Sequence, residues 1–232
     1  MAITYVGAGT AVQTVTTSLA LTAPETLSND LLIAVIISRN NTAVAALAGW
    51  TVIRDTANTS AMQTYVAWKR AGTGTEAHTF TVAGTTTSFG VIVAYRGVTL
   101  TGNPVYQSSI SNNASADNVT FATFTTAGIN HVVGIGTYAD DETTSGTFSG
   151  TNPTMTERVD VENITDEDAS IFIWDGPILT QDVAFGARTL DTASVVDAVN
   201  QGIAIELIDR PVPNAGRLGD AVVNYPRNTR IR

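Results

Sequence analysis

The chain has 232 residues and no cysteine, which removes disulfide frameworks and thiolate metal sites from consideration. Its 12 Lys and Arg against 21 Asp and Glu leave a net charge of −9, a balance that repels phosphate and argues against a fold built to bind nucleic acid. The charge is unevenly spread: residues 110–209 carry two basic and sixteen acidic side chains, whereas residues 210–232 carry five Arg against Asp220 alone. The longest apolar runs are strand-length, well short of the roughly 20 residues needed to cross a bilayer as a helix, so no membrane partner is expected.

Taken in order, residues 1–12 offer at most a short strand at Ile3–Val6. Gln13 to Leu21 alternates apolar and polar residues, the mark of a half-buried strand. Pro24 and Asn29-Asp30 turn the chain into Leu31–Ser38, apolar on both faces and therefore a central strand covered on both sides. Trp50 to Asp55 and Met62 to Arg70 read as further strands, the second with Tyr65 and Trp68 on opposite faces. His78–Val82 follows a hairpin at Gly72–Gly74, and Phe89–Val98 closes the series. Turn signals recur every 8–14 residues, as in a sandwich or barrel, and no long stretch has a helical apolar period.

The series is then repeated. Asn130–Tyr138 answers the first apolar run at an offset of 100 residues, Ala169–Asp175 answers Gln63–Lys69 at 106, and Gln201–Asp209 answers the closing run at 112. This alignment sets Trp174 on Trp68 and Gly202 on Gly90. Such self-similarity is the signature of an internal duplication. The repeats are placed at about 12–98 and 116–209, joined by a short linker at 99–115 and merged into one body spanning 1–209. Beyond Asp209 the alternation stops, and Pro211, Pro213 and Pro226 favour an extended arm over 210–232.

Little in the sequence spells out chemistry. His78 and His131 are the only histidines, neither has an acid or serine at motif spacing, and a structural role is expected for both. Asp140, Asp141, Glu142, Asp160, Glu162, Asp166 and Asp168 lie in acidic stretches that read first as solvated charge. Asp140, Asp141, Glu142, Asp160, Asp166 and Asp168 are weak Ca²⁺ candidates, since the spacing of a calcium loop is missing. Trp50, Trp68 and Trp174 are expected as core anchors, leaving Tyr95 and Tyr138 as freer rings that could serve a glycan. No enzyme activity and no cofactor are expected.

The order Gly49-Trp50-Thr51, Trp68-Lys-Arg70, Glu76-Ala-His-Thr-Phe-Thr-Val82 and Ala94-Tyr-Arg-Gly97 resembles a β-sandwich module of bacteriophage virion proteins, over roughly residues 12–209. The resemblance implies an all-β, antiparallel, jelly-roll-like sandwich of two pseudo-repeated halves. It also implies a structural role in a virion, as a capsid decoration protein, as a tail or baseplate component, or as a glycan-binding module. The amino terminus lacks the basic and apolar regions of a secretory signal, so the chain is expected to be made in the host cytoplasm before it reaches the particle. Expected partners are other virion proteins and sister copies in a homo-oligomer. The contact is assigned to the arm, through Arg210, Arg217, Val222, Val223, Tyr225, Arg227, Arg230 and Arg232.

Overall fold

A computed structural model of the chain describes residues 2–128, 130–139, 145–150, 153–163, 168–178, 184–185, 188–192 and 198–210. All regular structure among them is β. The first copy supplies β1 (Thr4–Ala8), β2 (Val12–Thr14), β3 (Ser18–Thr22), β4 (Leu31–Arg39), β5 (Thr51–Asn58), β6 (Met62–Arg70), β7 (Ala77–Thr81) and β8 (Ser88–Arg96). The second supplies β9 (Val105–Ala116), β10 (Val119–Phe121), β11 (Phe124–Thr125), β12 (His131–Tyr138), β13 (Ser145–Phe148), β14 (Thr156–Asn163), β15 (Ala169–Pro177), β16 (Ala184–Phe185), β17 (Arg188–Thr192) and β18 (Ala198–Leu207).

Two large antiparallel sheets dominate, ordered β1-β8-β4-β6-β5 and β9-β18-β12-β15-β14, with β2 extending the β1 edge along β8. The two orders are the same order read in the two copies. Small sheets, β3-β7 on one side and β10-β17-β13 with β11-β16 on the other, cover the outer faces. The molecule is therefore four layers thick, and each copy is a sandwich in its own right.

Strand alternation shows why the copies stay together. In β4, Leu31, Ile33, Val35 and Ile37 point toward the other copy, while Leu32, Ala34 and Ile36 point to their own outer layer. Val133 and Ile135 of β12, Ile171 and Ile173 of β15, and Ile203 and Ile205 of β18 join the first set in one continuous core. A strand buried on both faces must be apolar throughout, which explains the unbroken runs seen in the sequence. Toward one end of this interface the Thr64 and Thr137 hydroxyls meet at 2.8 Å. Asn58 Nδ2 donates across it to the carbonyls of Asn113 and Asn200, both at 2.8 Å.

Pairing registers fix the correspondence residue by residue. Ile36 faces Gly90 in the first copy and Gly136 faces Gly202 in the second, so the offsets of 100 and 112 hold. Gly202 cannot be larger, since a Cβ there would stand 2.0 Å from the Thr120 carbonyl oxygen of the covering β10. The middle offset differs from the sequence alignment. Ile36 faces Tyr65 whereas Gly136 faces Phe172, which makes Asp175, not Trp174, the counterpart of Trp68. A slip of one residue reverses the face: Trp68 packs toward the shared core and Trp174 toward the second copy's outer core, and both are half-buried. Trp50 is 8% exposed and lies in the first copy's outer core, edge-on to His78 and Phe80.

The repeat also begins earlier than the sequence suggests. The stretch taken as a linker contains β9, an edge strand paired along β18 as β1 is paired along β8. Both edges carry an irregularity at the same place, at Val6 between Tyr5 and Gly7 and at Tyr106 between Val105 and Gln107. β5 and β14 match as well, each shifting register at one residue, Ile53 and Arg158.

Candidate functional site

The two large sheets stack so that β5 lies against β9 on one flank and β1 against β14 on the other. These flanks are equivalent under the internal duplication, yet the side chains treat them differently. One is sealed by a polar cluster and the other is an open cleft.

At the sealed flank Asp175 is 1% exposed and accepts from Arg158 Nε at 2.8 Å. The Arg158 guanidinium lies over the Tyr5 ring, 5.1 Å from its centroid, and the Tyr5 hydroxyl donates to the Arg158 carbonyl at 3.3 Å. Tyr5 meets Tyr95 edge-on at 5.8 Å, and Tyr95 in turn packs against His131 at 6.0 Å. His131 Nε2 stands 3.4 Å from Asp175 Oδ2. Asp209 Oδ1 closes the group by accepting from the Ile3 backbone N–H at 3.2 Å. Burial pushes the Tyr95 phenol well above its usual range, with the Asp175 carboxylate adding to the shift. Burial also raises Asp209, although the Ile3 N–H and nearby positive charge oppose it. This cluster draws its side chains from both copies and ties them together. Within the cluster the His131 ring of this pair packs on the Tyr95 ring.

The open flank is a cleft of about 210 Å³ lined by Thr51, Val52 and Ile53 of β5, Trp68 of β6, and Asn103 and Val105–Ser108 leading into and along β9. Where the sealed flank has Arg158, Asp175 and Tyr5, this one has Ile53, Trp68 and Val105. Only Val105 is clearly smaller than its counterpart Tyr5, Trp68 is much larger than Asp175, and among the described residues no ion pair links the strands here. Arg70 holds the Trp68 indole, its guanidinium 5.8 Å from the ring centroid, and is itself fixed by donating to the Thr99 carbonyl. Tyr106, at the irregular position of β9, is 57% exposed, and Val52 is 40% exposed. Asn103 Oδ1 accepts from the Val105 N–H at 3.1 Å, and Arg54 ties the two edges by donating to the Ser108 carbonyl.

Other expected site residues fall elsewhere. Tyr95 and Tyr138 are fully buried, so neither is a free ring, and the Tyr138 hydroxyl donates to the Ala116 carbonyl at 2.7 Å. His78 sits under Trp50, 3.5 Å from Glu76 Oε2, which also accepts from Lys69 Nζ at 2.6 Å. Burial lowers the His78 imidazole, with the Lys69 charge adding to this and Glu76 opposing it. Among the described residues no group of three or more His, Asp or Glu stands close enough to hold a metal ion. Asp160 lies on β14 and Asp168 just before β15, both half-buried, while Asp140, Asp141, Glu142 and Asp166 lie outside the described residues. Arg210 is exposed and its backbone N–H donates to the Gly97 carbonyl at 2.7 Å. Arg217, Val222, Val223, Tyr225, Arg227, Arg230 and Arg232 lie outside the described residues.

Glu206 is a buried acid that sequence reasoning passed over. It accepts from the Ala127 N–H at 3.0 Å, from Asn130 Nδ2 at 2.6 Å and from Gln107 Nε2 at 2.6 Å. These three donors hold the buried carboxylate in place between β9, β18 and the segment before β12. No family model, no curated protein and no solved structure matches this chain.

Proposed function

We propose that the chain is a structural protein of a bacteriophage virion, a decoration protein that binds the particle surface and sister copies. The observation that carries this reading is the placement of charge. Residues 110–209 hold sixteen acids against two bases, and the segment that follows holds five Arg against one Asp. The segment leaves from a fixed point, because Asp209 is bonded to Ile3 and Arg210 to Gly97. A basic segment anchored to an acidic body is suited to reach the acidic face of a sister copy, with electrostatics setting partner choice and encounter rate.

The described acids support a scaffold rather than a catalyst. Asp30 is held by Arg96 through two hydrogen bonds of 3.0 and 2.7 Å, Asp175 by Arg158, Glu76 by Lys69 and Glu206 by three donors. Purified particles of the phage whose genome encodes the chain should contain it in many copies by quantitative mass spectrometry. A chain ending at Arg210 should stay folded yet bind those particles more weakly, and binding of the full chain should fall as salt rises. Particles lacking the protein, or a shortened chain that binds as tightly at every salt concentration, would overturn the reading.

A further inference from the structure

A second cavity, of about 220 Å³, opens where the connection between β3 and β4 meets the connection between β8 and β9. Leu27 lines it from the first connection and Leu100 from the second. They are 55% and 44% exposed, two of the five large apolar side chains exposed among the described residues. Neither connection is loosely held. In the first, the Leu27 N–H donates to Asp30 Oδ2 at 2.8 Å, and the Asn29 N–H donates to the Ala71 carbonyl at 2.9 Å. In the second, the Thr99 N–H donates to the Ile208 carbonyl at 2.9 Å, and the Gly97 carbonyl accepts from the Arg210 N–H at 2.7 Å. Arg70 joins the two by donating to the carbonyls of Asn29 and Thr99. A single exposed leucine needs no explanation, but two held by fixed backbone around one cavity do.

The charged part of the lining is cationic. Arg96 and Arg210 belong to it and Arg70 stands beside it, three of the 12 Lys and Arg in a chain of net charge −9. Asp30 is the one acid on the lining, and it is 4% exposed. Its oxygens are taken up by Arg96 Nε at 3.0 Å, Arg96 Nη2 at 2.7 Å and the Leu27 N–H. A guanidinium has five N–H donors, so Arg96 keeps three for a ligand, and its side chain is 41% exposed. From this arrangement we propose that the cavity binds a small aliphatic carboxylate, its charged end on Arg96 and Arg210 and its hydrocarbon chain against Leu27, Val98 and Leu100. Guanidinium groups match carboxylates in geometry as well as in charge. The volume lies below the range of pockets that enclose drug-sized ligands, which limits the chain to a short one. A bare inorganic anion would leave the leucines uncovered, and a neutral or cationic chain would make no use of the arginines. The site is separate from the cleft between β5 and β9 and uses no residue beyond Arg210, so it does not depend on the virion reading.

The test is amide NMR of the full chain titrated with acetate, butyrate, hexanoate and octanoate, with hexanol and hexylamine as controls. Hexanoate should shift the amides of Asn29, Gly97 and Leu100, and affinity should rise by up to about fourfold per methylene until the cavity is full. Hexanol should bind more weakly, and hexylamine not at all. Arg210→Gln should weaken hexanoate about tenfold at low salt, and Leu100→Gln should flatten the dependence on chain length. Both positions are exposed, so the melting temperature should stay unchanged in both variants. No shift with any carboxylate, affinity that ignores chain length, equal binding of hexanol or hexylamine, or binding that both variants leave intact would overturn the proposal. Binding of phosphatidylglycerol vesicles or of a peptide ending in leucine, with none of hexanoate, would also overturn it and reassign the cavity to a lipid surface or a protein terminus.

Discussion

The two flanks of the interface between the copies share a backbone and differ in what fills it. On one flank Arg158, Asp175, Tyr5, Tyr95 and His131 form a buried polar cluster; on the other Ile53, Trp68 and Val105 leave a cleft. Duplication supplies two equal slots, and a few substitutions are enough to turn one into a fastening and leave the other open. The lesson is that backbone symmetry fixes where side chains can meet, while residue identity decides whether the meeting place is a seam or a site.

Separating the copies is the most drastic way to break this comparison. A fragment ending at Thr101 would present the whole apolar face of Leu31, Ile33, Val35, Val91 and Val93 to water. Exposed apolar faces and sheet edges drive association. The expected outcome is an aggregating or self-associated fragment by light scattering; a monomer that melts cooperatively would show the first copy to be independent.

The next largest effect should come from the seam. Asp175→Ala leaves Arg158 without its carboxylate in a partly buried setting and should cost about 3 kcal/mol, a fully buried pair setting the upper end. Urea unfolding would measure it. Converting the seam toward its counterpart, with Asp175→Trp, Arg158→Ile and Tyr5→Val together, should be less harmful than the single changes added up, because the three side chains are in contact. Strict additivity would show that the three side chains do not act as one coupled cluster. At the open flank, by contrast, Tyr106→Ala should stay within about 0.5 kcal/mol of the parent, as exposed positions do.

A smaller difference separates the outer layers. His78 on β7 corresponds to Arg188 on β17, where the guanidinium donates to the Ser149 and Pro153 carbonyls, both at 3.0 Å. Only the histidine titrates near neutrality. Burial holds its folded value below the ordinary 6.5, so the unfolded chain takes up the proton first. Stability should therefore be complete above that value and fall as pH drops through it toward the folded value. Glu76 adds to the loss at lower pH. Desolvation opposes the charge on its carboxylate, but the Lys69 and Gly72 hydrogen bonds and the Lys69 and His78 charges outweigh it and lower its folded value. Chemical denaturation across this range should show a shallower fall for His78→Phe than for the parent.

Much of this architecture is legible in the sequence. The runs at Leu31 and Asn130, and the pair Gly90 and Gly202, marked the duplication because central strands and close sheet contacts restrict residue choice. Edge strand β9 was missed: Gln107-Ser-Ser-Ile-Ser-Asn-Asn113 is polar enough to read as linker, and only its pairing with β18 reveals it. The match of Trp68 to Trp174 was attractive by residue type, yet the register puts them on opposite faces. The seam itself could not be read, because Tyr5, Tyr95, His131, Arg158 and Asp175 lie on five strands with no common spacing. The cleft was hidden for the same reason. Its lining comes together only when β5, β6 and β9 are set side by side.

Native-state hydrogen exchange on the full chain, followed at the amides of β4 and β12, tests most directly whether the two copies are one body. These strands are the centres of the two large sheets and share one core. Cooperative unfolding should give them the same opening free energy, equal to that from urea denaturation, and both should drop together in Asp175→Ala. Two distinct plateaus, with Asp175→Ala lowering β12 alone, would contradict a shared core and make the copies separate domains that merely touch.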